Sequence, residues 1–134
     1  MAKCYHRDIT FEDPAFGILE GERAAKMWEM LLNRSKGTLK VSFHNVEATG
    51  ERGSASWVAE YEFGKKRRKV VNKVSAEFRF QDGKIIEHRD SFDLWRWAIQ
   101  AMGFTGLLLG WTAFFRKRLQ ATTNKQLDKY IERN

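Results

Sequence analysis

The chain has 134 residues, 43% hydrophobic and 13% aromatic, and carries a net charge of +7. This predicts a single domain over 1–134 with ample core material and argues against global disorder. No apolar run reaches the length of a membrane span, and the first residues carry no signal-peptide pattern. One cysteine, Cys4, cannot make an internal disulfide, which fits a reducing compartment, with the cytoplasm as the default.

In chain order, "TFEDPAFG" (10–17) comes first. Pro14 biases Asp13 towards extended backbone, so a strand is expected to end there. Asp13 then either holds the Pro14 turn as an Asx-turn residue or points inward as an acid or base. "GERAAKMWEMLLNR" (21–34) places Ala24, Trp28, Leu31 and Leu32 at helical spacing, with Gly37 as the stop. "TLKVSFHNV" (38–46) alternates, with Leu39, Val41 and Phe43 on one side. "SASWVAEYEF" (54–63) turns Trp57, Ala59, Tyr61 and Phe63 one way. "KVVNKVSAEFRF" (69–80) does the same for Val70, Asn72, Val74, Ala76, Phe78 and Phe80, and its other face carries Lys69, Lys73, Glu77 and Arg79. Such alternation marks antiparallel strands covered on one side only.

The basic run "KKRRK" (65–69) falls between two of these strands, and "DG" at 82–83 signals a tight hairpin. "KIIEHRDSF" (84–92) then puts Ile86, His88, Asp90 and Phe92 on one face. Asp93 is the expected N-cap of a helix over "LWRWAIQAM", ended by Gly103. A last amphipathic helix is expected over 112–132, anchored by Phe115, Leu119 and Leu127. A second basic run, "RKR" (116–118), lies on it. Basic runs suit nucleic acid or anionic membrane, or are simply solvated. No helix-turn-helix, zinc-ligand or RNP pattern accompanies them, so nucleic acid is not the expected partner.

The fold class that follows is α+β, a curved antiparallel sheet packed with helices on its concave face. On that face the periodicity places Tyr61, Asn72, His88, Asp90 and the indole N–H of Trp57 among apolar neighbours, with Asp13 beside them. Buried polar groups need partners, so these form either a closed hydrogen-bond network or the polar points of a ligand pocket. His88 is a satisfied core histidine or a proton carrier, and Asn72 an anchor for a neighbour or a pocket group. No spacing motif supports a metal site, and no cofactor is expected.

"YHRDITFEDPAFGILEGERAAKMW" (5–28), the alternating strands and "DGKIIEHRDSFDLWRW" (82–97) together resemble the SnoaL-like branch of the nuclear transport factor 2-like superfamily. Ketosteroid isomerases, limonene epoxide hydrolases and polyketide cyclases belong to the same superfamily. The resemblance spans most of residues 3–100. It implies a cone-shaped, cystatin-like sheet with an apolar pocket for a small hydrophobic molecule, commonly in a homodimer. It also implies a domain lacking the family's N-terminal helices, since only "MAKCY" precedes the first strand motif.

The resemblance assigns roles residue by residue. Asp13 occupies the place of the isomerase general base, while Ala76 stands where the isomerase has a protonated aspartate. Asp90 matches the first aspartate of the hydrolases' "WRDYFD", whose expected arginine–aspartate partners fall on Trp57 and Ala59. Asp90 with His88 matches the acid/base arrangement of the cyclases, the best match of the three. The implied catalytic set is Asp13, Asp90 and His88. Phe11, Phe16, Trp28, Trp57, Tyr61, Asn72, Ala76 and Phe78 are the implied ligand wall. The expected function is apolar ligand binding with the acid/base chemistry of an isomerase, cyclase or hydrolase. Its alternative is a non-catalytic binding or dimerisation module.

Overall fold

Among the described residues, two-residue periodicity builds six strands and helical spacing builds four α-helices around them. The computed structural model describes residues 2–35 and 39–133, so Gly37, the expected helix stop, lies outside the described residues. A 3-10 turn, Ala2–Cys4, leads into β1 (Tyr5–Asp13), β2 (Gly17–Glu20) and α1 (Glu22–Ser35). The meander β3 (Lys40–Thr49), β4 (Arg52–Phe63), β5 (Arg68–Gln81) and β6 (Lys84–Ser91) follows. The chain then forms α2 (Leu94–Met102), α3 (Phe104–Leu109) and α4 (Ala113–Arg133).

The strands form one curved, open sheet in the order β2-β1-β6-β5-β4-β3. Asp82 and Gly83 both have positive φ, 55° and 75°, the geometry of the tight hairpin that "DG" predicts. Neighbouring strands are antiparallel except β1 and β6, which pair in parallel. That pair has no hairpin to impose direction; the long stretch of chain between the two strands supplies the crossover that a parallel pair needs. Register shifts in β1–β6, β3–β4 and β5–β6 mark bulges, which bend and twist strands.

The apolar side chains divide between two clusters. One joins Ile9, Phe11 and Leu19 of the first two strands to Met27 and Met30 of α1 and Leu127 of α4. The other joins Val70 of β5 to Leu94, Trp97 and Ala98 of α2 and Leu119 of α4. α4 therefore closes both. α1 packs on β1 and β2 and α2 on β5, which leaves the β3 edge uncovered. Val41 and Phe43 alternate as expected but are exposed, because no comparable helix packing reaches that edge. Lys69, Lys73 and Glu77 face water on the other side of the sheet.

Two short elements carry no strong signal of their own. β2 is a four-residue strand paired to β1 across the Pro14 turn. α3 occupies the apolar run after Gly103, so the final helix begins at Ala113.

Candidate functional site

The sheet register sets the concave face in rows. Phe11 of β1 pairs with His88 of β6, and His88 with Phe78 of β5. One step along, Asp90 pairs with Ala76, and Ala76 with Ala55. Glu12 pairs with Arg89, so Asp13 stands level with Asp90. Two carboxylates thus lie side by side at the head of a row continued by alanines.

His88 and Asp90 are buried, 1% and 4% exposed, and both ring nitrogens of His88 and Oδ1 of Asp90 are engaged. His88 Nε2 lies 2.7 Å from Asp90 Oδ1, and Nδ1 lies 2.6 Å from the Tyr5 hydroxyl oxygen. That oxygen also accepts the indole N–H of Trp28 at 2.8 Å. With Trp28 donating to it, the Tyr5 hydroxyl is free to donate to Nδ1, which leaves Nε2–H as the donor to Asp90. Rings enclose the imidazole: Phe78 at 4.6 Å, Phe11 at 5.0 Å and Trp28 stacked at 6.1 Å. Burial pushes the Tyr5 phenol well above its ordinary range, against the Trp28 hydrogen bond, and Asp90 and Asp13 add to the rise.

Asp13 behaves differently. Its Oδ1 accepts the backbone N–H groups of Ala15 at 3.0 Å and Phe16 at 2.6 Å, so it holds the Pro14 turn as an Asx-turn residue. Yet it also faces the site. Burial pushes its carboxyl up to about 7; the Phe16 and Ala15 N–H groups oppose this, while Asp90 and Glu12 reinforce it. Oδ2 has no hydrogen bond among the described residues, and no buried side-chain polar atom there lacks a partner, so Oδ2 remains accessible. Holding the turn and facing the site are compatible roles for Asp13, one for each oxygen.

The turn is gripped from outside by α4. Gln120 Nε2 donates to the Pro14 carbonyl at 3.1 Å, Thr123 Oγ1 to that of Ala15 at 2.8 Å and Asn124 Nδ2 to that of Phe16 at 2.8 Å. Tyr61 accepts the indole N–H of Trp97 at 2.7 Å, and its own hydroxyl proton has no acceptor among the described residues. Burial pushes the Tyr61 phenol up, the Trp97 bond opposes this and Asp13 adds to it, so the two groups sense one another.

Asp13, His88, Asp90, Phe11, Trp28 and Phe78 thus come together, and Trp57 joins them 6.2 Å from Trp28. Ala76 is buried beside Asp90 and supplies no donor. Asn72 lies further along β5 opposite Ala59, without a hydrogen bond from its side chain among the described residues. Phe16 is packed in the α1 cluster, and Tyr61 beside the α2 cluster.

Tyr5, Trp97 and the α4 trio were not anticipated. Tyr5 shares the odd-numbered parity of Ile9, Phe11 and Asp13. Gln120, Thr123 and Asn124 share the i, i+3, i+4 spacing of one helix face, so both signals were present. Two clefts lie elsewhere, neither lined by Asp13 or Asp90. One of about 260 Å³ opens on the charged face of the sheet and reaches Phe78 and His88; one of about 420 Å³ lies between Trp95, Trp111 and Arg116. Among the described residues no group of His, Cys, Asp or Glu side chains is arranged to hold a metal ion.

The model of the SnoaL-like domain family matches residues 1–88. The chain belongs to the SnoaL-like family. No curated protein sequence matches this SnoaL-like domain. Solved structures similar to it include an LEH-like epoxide hydrolase of M. tuberculosis, 26% identical with a TM-score of 0.55 over 84% of this chain and 77% of that one. A protein of Jannaschia sp. described as a SnoaL-like polyketide cyclase is 17% identical, with a TM-score of 0.62 over 74% of each chain. A protein of Catenulispora acidiphila with a ketosteroid isomerase-like fold, in complex with trimethylamine, is 16% identical, with a TM-score of 0.60 over 74% of this chain and 77% of that one. The SnoaL-like domain thus shares the fold of these proteins.

Proposed function

We propose that this SnoaL-like domain binds a small apolar molecule against the concave face of its sheet and that Asp13 exchanges a proton with it, as in an isomerase, cyclase or hydrolase. The observation that carries the proposal is the division of labour at Asp13: one carboxylate oxygen is held by the turn, the other is accessible, and proton affinity sits near neutrality. Trp28, Trp57 and Phe78 offer an apolar wall, and the Tyr61 hydroxyl offers a donor for a carbonyl or epoxide oxygen. His88 and Asp90 act as a pair, with Asp90 adding a neighbouring charge to the burial that raises the proton affinity of Asp13.

One observation favours a non-catalytic binding or dimerisation module. His88 and Asp90 already satisfy one another and Tyr5, as a purely structural network would. The exposed apolar side chains Val41, Phe43 and Val46 of the β3 edge offer a surface for a homodimer, whose mass in solution would reveal it. A carboxyl-detected NMR titration, with a panel of apolar ketones and epoxides as probes, separates the two. Acid/base function predicts an Asp13 midpoint near 7 that moves when a probe binds. It also predicts that Asp13→Asn, which keeps the turn's acceptor, folds normally and loses about 100-fold or more in turnover. Probes bound without turnover by both proteins would leave the binding module standing.

A further inference from the structure

α3 buries the wrong side for a core helix. Its face against α2 is glycine: a Cβ on Gly106 would collide with the Ala98 carbonyl, and one on Gly110 would lie 2.6 Å from the Ala98 Cβ. The large side chains are consequently left outside. Phe104 is 73% exposed, Leu108 54%, Trp111 68% and Phe114 67%, with Leu107 and Leu109 beside them. So many large apolar side chains exposed along one stretch of chain mark an interaction site.

The basic runs say what kind. Arg68, in the 65–69 run, donates from Nε to the Gln100 carbonyl at 2.8 Å, and its guanidinium packs against Gly103, the residue just before α3. The β4–β5 turn, with Lys65, Lys66 and Arg67 exposed, is therefore docked at the start of the apolar surface. At its other end Arg116, Lys117 and Arg118 are exposed on the first turns of α4, and the Arg118 guanidinium lies 6.0 Å over the Phe114 ring. Of the acidic groups nearby, Asp93 caps α2 through the Arg96 N–H, and Glu62 stands opposite Lys69 in the sheet. Aromatic and leucine side chains between two cationic clusters match a lipid surface with anionic headgroups. A second copy fits less well, because it would bring like charges together.

We infer that α3, with the Trp95–Trp111 cleft and the two flanking basic runs, is a docking surface for anionic lipid bilayers. The rings and leucines enter the headgroup boundary, and the lysines and arginines hold the lipid phosphates. No helix among the described residues is long and apolar enough to cross a membrane, so the contact is interfacial. α3 and the 116–118 run lie beyond residues 1–88, the part matched by the family model, while the 65–69 run lies within it.

Flotation of the full chain with phosphatidylcholine vesicles, with and without phosphatidylglycerol, tests this. Binding is expected with the anionic vesicles, falling steeply between about 0.05 and 0.5 M salt. The triple variant Phe104→Ser, Trp111→Ser, Phe114→Ser, checked for native circular dichroism, should lose about tenfold or more. Should it fail to fold, Leu108→Ser alone serves and should also weaken binding. Lys65→Gln with Lys117→Gln should weaken binding about fivefold per charge and flatten the salt dependence.

Any of four results overturns the proposal. The first is no anionic vesicle binding, and the second is binding that the apolar variants leave unchanged. The third is a dimer in solution that they convert to monomer without vesicle binding. The fourth is duplex DNA binding in place of vesicle binding, abolished by the charge variant alone.

Discussion

Asp13 is a side chain used twice. Proline after it favours the extended backbone from which Oδ1 can reach the Ala15 and Phe16 N–H groups, and Oδ2 is left without a hydrogen bond among the described residues. Burial, with neighbouring negative charge added, then outweighs two hydrogen bonds that favour the anion, and the carboxyl rises from 3.8 to about 7. A raised acid has a definite signature in stability. The folded chain holds the proton more tightly than the unfolded one, so Asp13's contribution is full below about pH 4 and is lost as pH rises through about 7. Urea midpoints across this range should fall with pH in the wild type, and Asp13→Asn should remove most of that slope. At about pH 8 the variant should be the more stable protein, by a margin on the order of 2 kcal/mol. An unchanged slope would mean that the carboxyl is solvated like any surface aspartate.

Among the elements, α4 has the widest influence on the site without lining it. Its Gln120, Thr123 and Asn124 take the three carbonyls that the Pro14 turn turns outward, while Arg23 of α1 binds Asp128 at 2.6 Å and the Asn124 side chain at 2.9 Å. Thr123→Val and Asn124→Ala should each cost about 1 kcal/mol, the net value of a hydrogen bond in such a setting. A merely structural loss would stop there. A clamp on the turn predicts in addition that the NMR titration midpoint of Asp13 drifts down towards ordinary carboxylate values, because a loosened turn admits water. α3 shows the same dependence on its neighbour from the opposite side: close approach to α2 needs glycine, and glycine on the inner face turns the leucines outward.

For the molecule as a whole, the shared helix implies a shared fate. Leu127 is fully buried in the cluster with α1, and Leu119 closes the cluster with α2. Leu127→Ala should destabilise the domain by roughly 2–5 kcal/mol. Fluorescence and far-ultraviolet circular dichroism should still report one coincident transition, because α4 couples the two clusters. Separate transitions would show that the clusters unfold independently. The sheet is covered unevenly, packed at β1, β2 and β5 and bare at β3, and the apolar helix between positive charges lies against α2. That unevenness separates the sheet-borne site from the surface proposed to meet lipid.

Local chemistry was legible in the sequence wherever a residue's conformation depends on its near neighbours. The period of two placed His88 and Asp90 on one inward face, "DG" placed its hairpin, and Asp93 and Gly103 bounded their helix. A buried polar cluster could likewise be anticipated, because polar residues at inward positions must find partners. Which partners they found was decided by the tertiary structure. Tyr5 meets His88 only because β1 and β6 pair in parallel, Asp13 feels Asp90 only through that register, and Asn124 reaches Phe16 only when α4 folds back. Likewise the exposure of α3 could not follow from its apolar composition, since periodicity marks which residues share a face but not whether another element arrives to cover it.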